Sequence, residues 1–376
     1  MPVLRFVIRA VRHFEPLRRR WRAPMRHLTV RGPLPILHFP RSRQRAHHAG
    51  FPTRRNLPAV TTPVPPIEVA FPDIGRWASG NTGIPYVWTF ASNVAGPHVL
   101  VQALTHGNEV CGAIAIDWLL GKDFRPVRGT LTMCFANIGA YQRFDRADPF
   151  GSRCIDEDFN RLWTAEVLDG PRKTADLVRA RALRPLYERV DYLLDLHSMT
   201  DPCPPLAMAG RQRKGVELAQ AIGSPEHIIV DGGHAAGRRL RDYAFFDDSE
   251  DPRNALLIEC GQHWEAAAPE VAKQVTLRFL RHFGMCGPEF LDAWLERVPM
   301  PRQKVIEVTA AVTITTDDFR FVIPVAGLSV VSKAGTLLAR DGGADVATPY
   351  DDCVLIMPTR RPKKGETAVR LGHFVH

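Results

Sequence analysis

The sequence predicts an α/β protein with a largely parallel or mixed sheet, followed by a smaller all-β segment. Two observations carry this expectation. Between about residues 67 and 300, short apolar runs alternate with longer stretches of helical character, the pattern of helices packed on a sheet. From Gln303 the texture changes to β-branched runs separated by Gly and Asp turns, which reads as strands without helices. The expected organisation is an Arg- and Pro-rich extension over 1–66, an α/β domain over 67–300 and a C-terminal β domain over 301–376.

The elements follow in order. Strands are expected at 98–104 (His98-Val-Leu-Val-Gln-Ala-Leu104), 129–135, 191–196, 226–230 and 254–259, each too short for a helix and mostly apolar. Helices are expected at 110–120, 174–190, 214–222, 268–283 and 287–297. Pro185 should kink or shorten the second, because it lacks an N–H and its ring crowds the preceding turn. In the C-terminal part, Val305–Thr316 and Phe321–Val331 are rich in β-branched residues, and Val354–Met357 is a further short apolar run. Ala334-Gly335 and Asp341-Gly342-Gly343 mark turns.

Apolar residues make up 45% of the chain and charged ones 24%, ordinary values for a soluble globular protein. No run of 18 or more apolar residues occurs, so no membrane-spanning helix is expected. The net charge of +9 comes from one end. Residues 1–57 hold 14 Arg, no Lys and a single acid, Glu15, which leaves 35 basic against 39 acidic residues in the rest. A nucleic-acid-binding body needs a basic folded face, and this body is mildly acidic.

Within the extension, Arg5, Arg9 and Arg12 share a helical face among apolar neighbours, as in organelle transit peptides or helices lying on an anionic membrane. Proline recurring from Pro16 onward favours a disordered extension or translation from an upstream start. The seven cysteines form no C-x-x-C pair, which argues for free thiols in a reducing compartment and a cytoplasmic protein. Cys260 beside Glu259 can be read as a nucleophile or, with more weight, as a small buried residue ending a strand. A homo-oligomer is left open.

His106-Gly-Asn-Glu109 follows the first strand directly. It sets an imidazole and a carboxylate three residues apart, two of the three protein ligands a catalytic zinc ion needs. Ligands collect at strand C-termini in open α/β sheets. His197, at the end of Tyr192-Leu-Leu-Asp-Leu196, fits as the third, with His227 and His234 as rivals. Asp195 and Ser198 are placed to orient it. Glu259 ends the run Ala255-Leu-Leu-Ile258. It is a candidate general base, the alternative being a salt bridge to an Arg. Arg153 and Asp158-Phe-Asn-Arg161 offer guanidinium forks for a carboxylate; the plainer alternative is an ion pair with Asp156, Glu157 or Asp158.

Taken together, these motifs resemble the succinylglutamate desuccinylase/aspartoacylase family, a branch of the zinc carboxypeptidase-like superfamily. His106-Gly-Asn-Glu109, Asn137-Ile-Gly-Ala140, Arg153-Cys-Ile-Asp-Glu-Asp-Phe-Asn-Arg161, Asp195-Leu-His197 and Ile258-Glu-Cys-Gly261 stand in the family's order. The resemblance spans roughly residues 67–372. It implies a zinc-carboxypeptidase-like mixed sheet with a smaller C-terminal β domain and one Zn²⁺ per chain on His106, Glu109 and His197. It further implies Glu259 as base, and Arg153 and Arg161 sharing carbonyl polarisation and substrate-carboxylate binding. Asn137, Asn160 and Tyr350 are candidate substrate contacts. The implied reaction is hydrolysis of the amide of a small N-acyl amino acid. The alternatives are a metallocarboxypeptidase or esterase, and a non-catalytic metal-dependent binding protein. Two departures from the family pattern, Phe159 and the Gln262-His263-Trp264 segment, leave the acyl group and the amino acid open.

Overall fold

Alternation of apolar side chains along the central strands decides the layering. In the computed structural model, described for residues 63–233, 236–299 and 301–375, the strands are β1 (Val87–Ala91), β2 (His98–Ala103), β3 (Thr130–Phe135), β4 (Tyr192–Met199), β5 (Leu206–Met208), β6 (His227–Val230), β7 (Asn254–Gln262), β8 (Lys304–Thr313), β9 (Phe319–Phe321), β10 (Val330–Val331), β11 (Leu337–Asp341), β12 (Ala344–Ala347), β13 (Cys353–Ile356) and β14 (Thr367–Val375). The helices are α1 (Cys111–Gly121), α2 (Ile138–Tyr141), α3 (Ala165–Leu168), α4 (Ala175–Tyr187), α5 (Arg213–Ile222), α6 (Ala267–His282) and α7 (Pro288–Trp294). Val99, Val101 and Ala103 of β2 pack into one core with Ile116 of α1 and Phe279 of α6. Leu100, between them, packs into another with Leu183 of α4 and Trp163. Both faces of the strand are covered, which is why its sequence is nearly all apolar.

Eleven strands form one mixed sheet in the order β1-β3-β2-β4-β7-β5-β6-β8-β14-β13-β10. The run β3-β2-β4-β7 is parallel, so the C-terminal ends of β2, β4 and β7 open onto the same edge. The C-terminal strands continue this sheet: β8 pairs in parallel with β6, and β14 pairs antiparallel with β8. A second, three-stranded sheet, β12-β11-β9, carries a smaller core around Ile314, Leu338 and Val369.

Several expectations are corrected. β1 and β5 lie where no strand was expected, and β14 adds a nine-residue strand after the last anticipated run. Phe321–Val331 is mostly not strand; only its ends join β9 and β10, because Pro324 and Gly327 interrupt the run. The expectation for Pro185 holds: α4 ends at Tyr187, three residues short of the anticipated end. The lost N–H bond falls in the last turn. The readings made of the Arg-rich extension fall on residues outside those described, apart from 63–66. No described helix is long and apolar enough to cross a membrane.

Between α2 and α4 the chain has little regular structure, and one buried carboxylate organises it. Asp176, in the first turn of α4, accepts from the backbone N–H groups of Ile155, Asp156 and Glu157 at 2.7–3.2 Å and from Asn137 Nδ2 at 2.6 Å. Asp156 in turn accepts from Ala175 N at 2.7 Å. Asp176→Ala leaves three backbone donors without their acceptor. It is expected to cost about 3 kcal/mol, read as a lower urea midpoint; an unchanged midpoint would show that water replaces the carboxylate there.

Candidate metal centre

The centre is built where β2, β4 and β7 end. Leu104, at φ 61°, turns the chain out of β2, and residues 105–110 form the loop into α1. Gly107 lies against the backbones of α2 and the 150–153 loop, and donates to Arg153 O at 3.1 Å. A Cβ there would sit 2.4 Å from Ala140 C, Ser152 O and Tyr141 N. Only glycine permits that approach, which fixes the turn carrying His106 and Glu109. β4 delivers His197, and the β4–β7 register sets Glu259 opposite it.

His106, Glu109 and His197 are 3%, 2% and 1% exposed, and one ligand atom from each lies within 4.8 Å of the others. Nδ1 of His106 lies 2.7 Å from Glu109 Oε1, and Nδ1 of His197 lies 2.8 Å from Glu109 Oε2. The opposite ring nitrogens face carboxylates. His106 Nε2 is 2.9 Å from Asp158 Oδ1. His197 Nε2 is 2.9 Å from Asp195 Oδ2, a close ion-pair distance whose angle misses hydrogen-bond alignment. Asp195 is itself held by Thr105 Oγ1 at 2.8 Å and Gln102 Nε2 at 3.2 Å, and Gln102 accepts from Tyr187 OH. Carboxylates behind both rings orient the two imidazoles with Nδ1 toward Glu109, and Arg153 Nη2 also lies 2.9 Å from His106 Nε2.

The charges of these groups are coupled to one another. Burial opposes ionisation of Glu109, but the two imidazoles hold it well below the usual carboxylate range. Burial likewise opposes charge on His197, yet Asp195 and Glu109 raise it well above the ordinary histidine value. Burial first, then the Glu109 carboxylate, pushes Glu259 up to about 8, and its Oε2 has no hydrogen-bond partner among the described residues. Two imidazoles and a carboxylate converging among further carboxylates are a donor set that fits a divalent metal.

A cavity of about 460 Å³ opens beside this set. His106, Glu109, His197, Glu259, Arg153, Asn160 and Arg161 all line it. Arg153 bonds Glu109 Oε1 at 3.2 Å and Asp158 Oδ2 at 3.1 Å. Burial against other cations pulls Arg161 down to about 10, with Asp158 opposing at 4.0 Å. Asn160 spends its Oδ1 on Leu240 N. Two anticipated contacts do not line the cavity. Asn137 is consumed by capping α2 and by Asp176. Tyr350 shares a 2.6 Å bond with Thr309 and meets the His373 ring edge-on. Of the rivals to His197, His227 sits at the start of β6 away from the cavity, and His234 lies outside the described residues. Cys260 is fully buried, and burial holds its thiol well above the usual range.

Among the cavity residues that escaped sequence reasoning are two arginines, Arg239 and Arg370. Arg239 stands in an arginine-rich run with no spacing signal. Arg370 did carry one: a cation inside the apolar run Ala368-Val-Arg-Leu371, which is costly in a strand unless paired.

Fold and centre together define a class: a mixed α/β protein whose sheet edge presents a His–Glu–His donor set at an arginine-lined cavity. Residues 95–282 match the model of the succinylglutamate desuccinylase/aspartoacylase catalytic domain, and the chain belongs to that family. Among solved structures it is similar to a succinylglutamate desuccinylase from Vibrio cholerae (17% identity, 78% of this chain and 86% of that one, TM-score 0.59). It is also similar to one from Vibrio parahaemolyticus (17%, 78% and 87%, 0.56). A third is the product-bound ectoine utilization protein EutE (DoeB) from Ruegeria pomeroyi (19%, 76% and 87%, 0.53). At these identities the likeness is one of fold. A search of curated proteins finds no match.

If Asp195 orients His197, Asp195→Asn weakens metal binding by about 10–100-fold, measured by competition with a chromogenic chelator. Equal affinity in the variant would remove Asp195 from that role.

Proposed function

We propose that this chain is a zinc-dependent hydrolase that cleaves the amide bond of an N-acyl amino acid, releasing a carboxylate and an amine. Family membership supports the coarser statement, a deacylase acting on amide bonds. The observation that carries the finer one is the pairing of His197 with Glu259 across β4 and β7. It sets a carboxylate that is not part of the donor set beside that set, in the same cavity as Arg153 and Arg161.

His106, Glu109 and His197 are the residues that hold the metal, one Zn²⁺ per chain. Bound zinc supplies Lewis-acid polarisation of the scissile carbonyl and acidifies water. Glu259, buried and kept basic by its surroundings, takes a proton from the attacking water and returns it to the departing amine. Arg153, half-exposed at the cavity wall and anchored by Glu109 and Asp158, stabilises the developing oxyanion. Arg161 and Asn160 bind the substrate carboxylate. All seven cysteines are free, which supports a cytoplasmic setting.

The test is a mass-spectrometric screen of N-acyl amino acids with zinc-loaded protein. Chelation should abolish turnover and zinc restore it. Glu259→Gln should keep one zinc per chain while losing about 10²–10⁴ in kcat. A Glu259→Gln protein of undiminished rate, or hydrolysis indifferent to chelation, sinks the mechanism.

A further inference from the structure

None of Gln262, His263 and Trp264 lines the cavity, yet their side chains reach the segments that carry the metal ligands. A β-bulge brings them there. β4 and β7 pair His197 with Glu259, but Met199 then faces Gln262, so β7 holds one extra residue at this point. Gly261 sits in the bulge at φ 120°, where a Cβ would lie 2.1 Å from Glu265 Oε1. A bulge bends its strand and re-aims the side chains beyond it.

His263 pins the residues that follow the ligand His197. Its N–H donates to Met199 O at 2.9 Å. Its Nδ1 lies 2.9 Å from Ser198 Oγ and its Nε2 3.3 Å from Thr200 Oγ1. Ser198 in turn donates its backbone N–H to Glu109 Oε2 at 3.2 Å. Gln262 Nε2 adds a bond to Thr200 O at 3.1 Å.

Trp264 holds the other ligand segment. It is fully buried, and its Nε1 donates at 3.1 Å to Asn108 O, a carbonyl inside the turn that carries His106 and Glu109. Its ring lies 5.2 Å from that of Phe150, whose carbonyl accepts from Arg153 N at 3.2 Å. Its backbone is tied as well: Trp264 N donates to Gln262 Oε1 at 3.0 Å, and Trp264 O accepts from Glu68 N at 3.0 Å. A buried indole offers a single N–H, so this bond both satisfies the Asn108 carbonyl and fixes where the turn sits.

His106 and Glu109 come from one segment and His197 from another. A metal site needs its ligands held to within about 0.5 Å, and His263 and Trp264, neighbours in sequence, tie one segment to the other. We propose that these two are positioning residues, which set the turn bearing His106 and Glu109 against His197 and thereby the affinity and geometry of the bound metal. The departure of Gln262-His263-Trp264 from the family pattern then acts on the metal centre, not by touching substrate. The inference rests on the metal-site reading of His106, Glu109 and His197, and is independent of the amide-hydrolysis reading.

Three variants of the full chain separate positioning from packing. Trp264→Phe keeps a ring beside Phe150 and removes the N–H. His263→Leu removes both side-chain hydrogen bonds at similar size, and His263→Asn puts an amide near the place of Nδ1. Zn²⁺ affinity is measured by competition with a chromogenic chelator, and the ligand-field absorption of the Co²⁺-loaded chain is recorded. Trp264→Phe and His263→Leu should each weaken zinc binding by about 10–100-fold and change the cobalt spectrum, while His263→Asn regains most of the loss. Should the leucine prevent folding, Ser198→Ala removes the same hydrogen bond at the cost of one hydroxyl and should weaken zinc in the same direction. A merely structural role lowers the urea midpoint of the metal-free chain but leaves zinc affinity and the cobalt spectrum unaltered, and that result overturns the proposal. A His263→Asn chain as weak as His263→Leu removes His263 from the role. A parent chain that binds neither ion ends the metal reading and the proposal with it. If zinc affinity depends on Trp264 and His263 in a chain that hydrolyses no N-acyl amino acid, the amide-hydrolysis reading fails and the positioning role stands.

Discussion

Glu109 is a carboxylate buried to within a few per cent, and the molecule is arranged around keeping it ionised. An unpaired charge at that depth would be expensive. Two imidazoles, the Arg153 guanidinium and the Ser198 N–H all point at its oxygens. They come from three segments: the turn after β2, the irregular stretch before α4, and the end of β4. The constraint reaches outward from there. Gly107 must be glycine so that the turn can seat against α2. Asp176 must organise 155–157 so that Arg153 and Asp158 face the centre. The central strands must be parallel so that the β2, β4 and β7 ends meet at one edge.

Much of this was legible in the chain. His197 and Glu259 could be found because each follows an apolar run near a strand's end, and His106 and Glu109 because their short motif comes just after one. Arg153 and Arg161 came with a local motif. What failed to show depended on partners far away in the chain. Asn137 looked like a substrate contact, but its amide is captured by Asp176, 39 residues on. Tyr350 is drawn to Thr309. Arg239 and Arg370 come to the cavity only when β14 is laid beside β8 and the 236–240 loop is bonded to 160–163. Among the elements, β5 was missed because three residues carry no period, and Phe321–Val331 misled because its apolar side chains serve the small core more than a ladder.

The cavity thus has two parts with different origins. The donor set and Glu259 belong to strand ends within the 95–282 stretch shared with the family. Part of the opposite wall, with Arg370, is contributed from β14. Both parts are stretches of one continuous sheet.

The continuity of that sheet bears on how the chain can be divided. A fragment ending with the family-matched stretch would stop before β8, and β6 would lose the neighbour that covers its outer side. Its free N–H and C=O groups would become an open edge, a template for pairing with other chains. The catalytic stretch is therefore not a portable module. Recombinant truncations drawn at the family boundary would yield a sticky fragment, and a working fragment has to include the C-terminal strands.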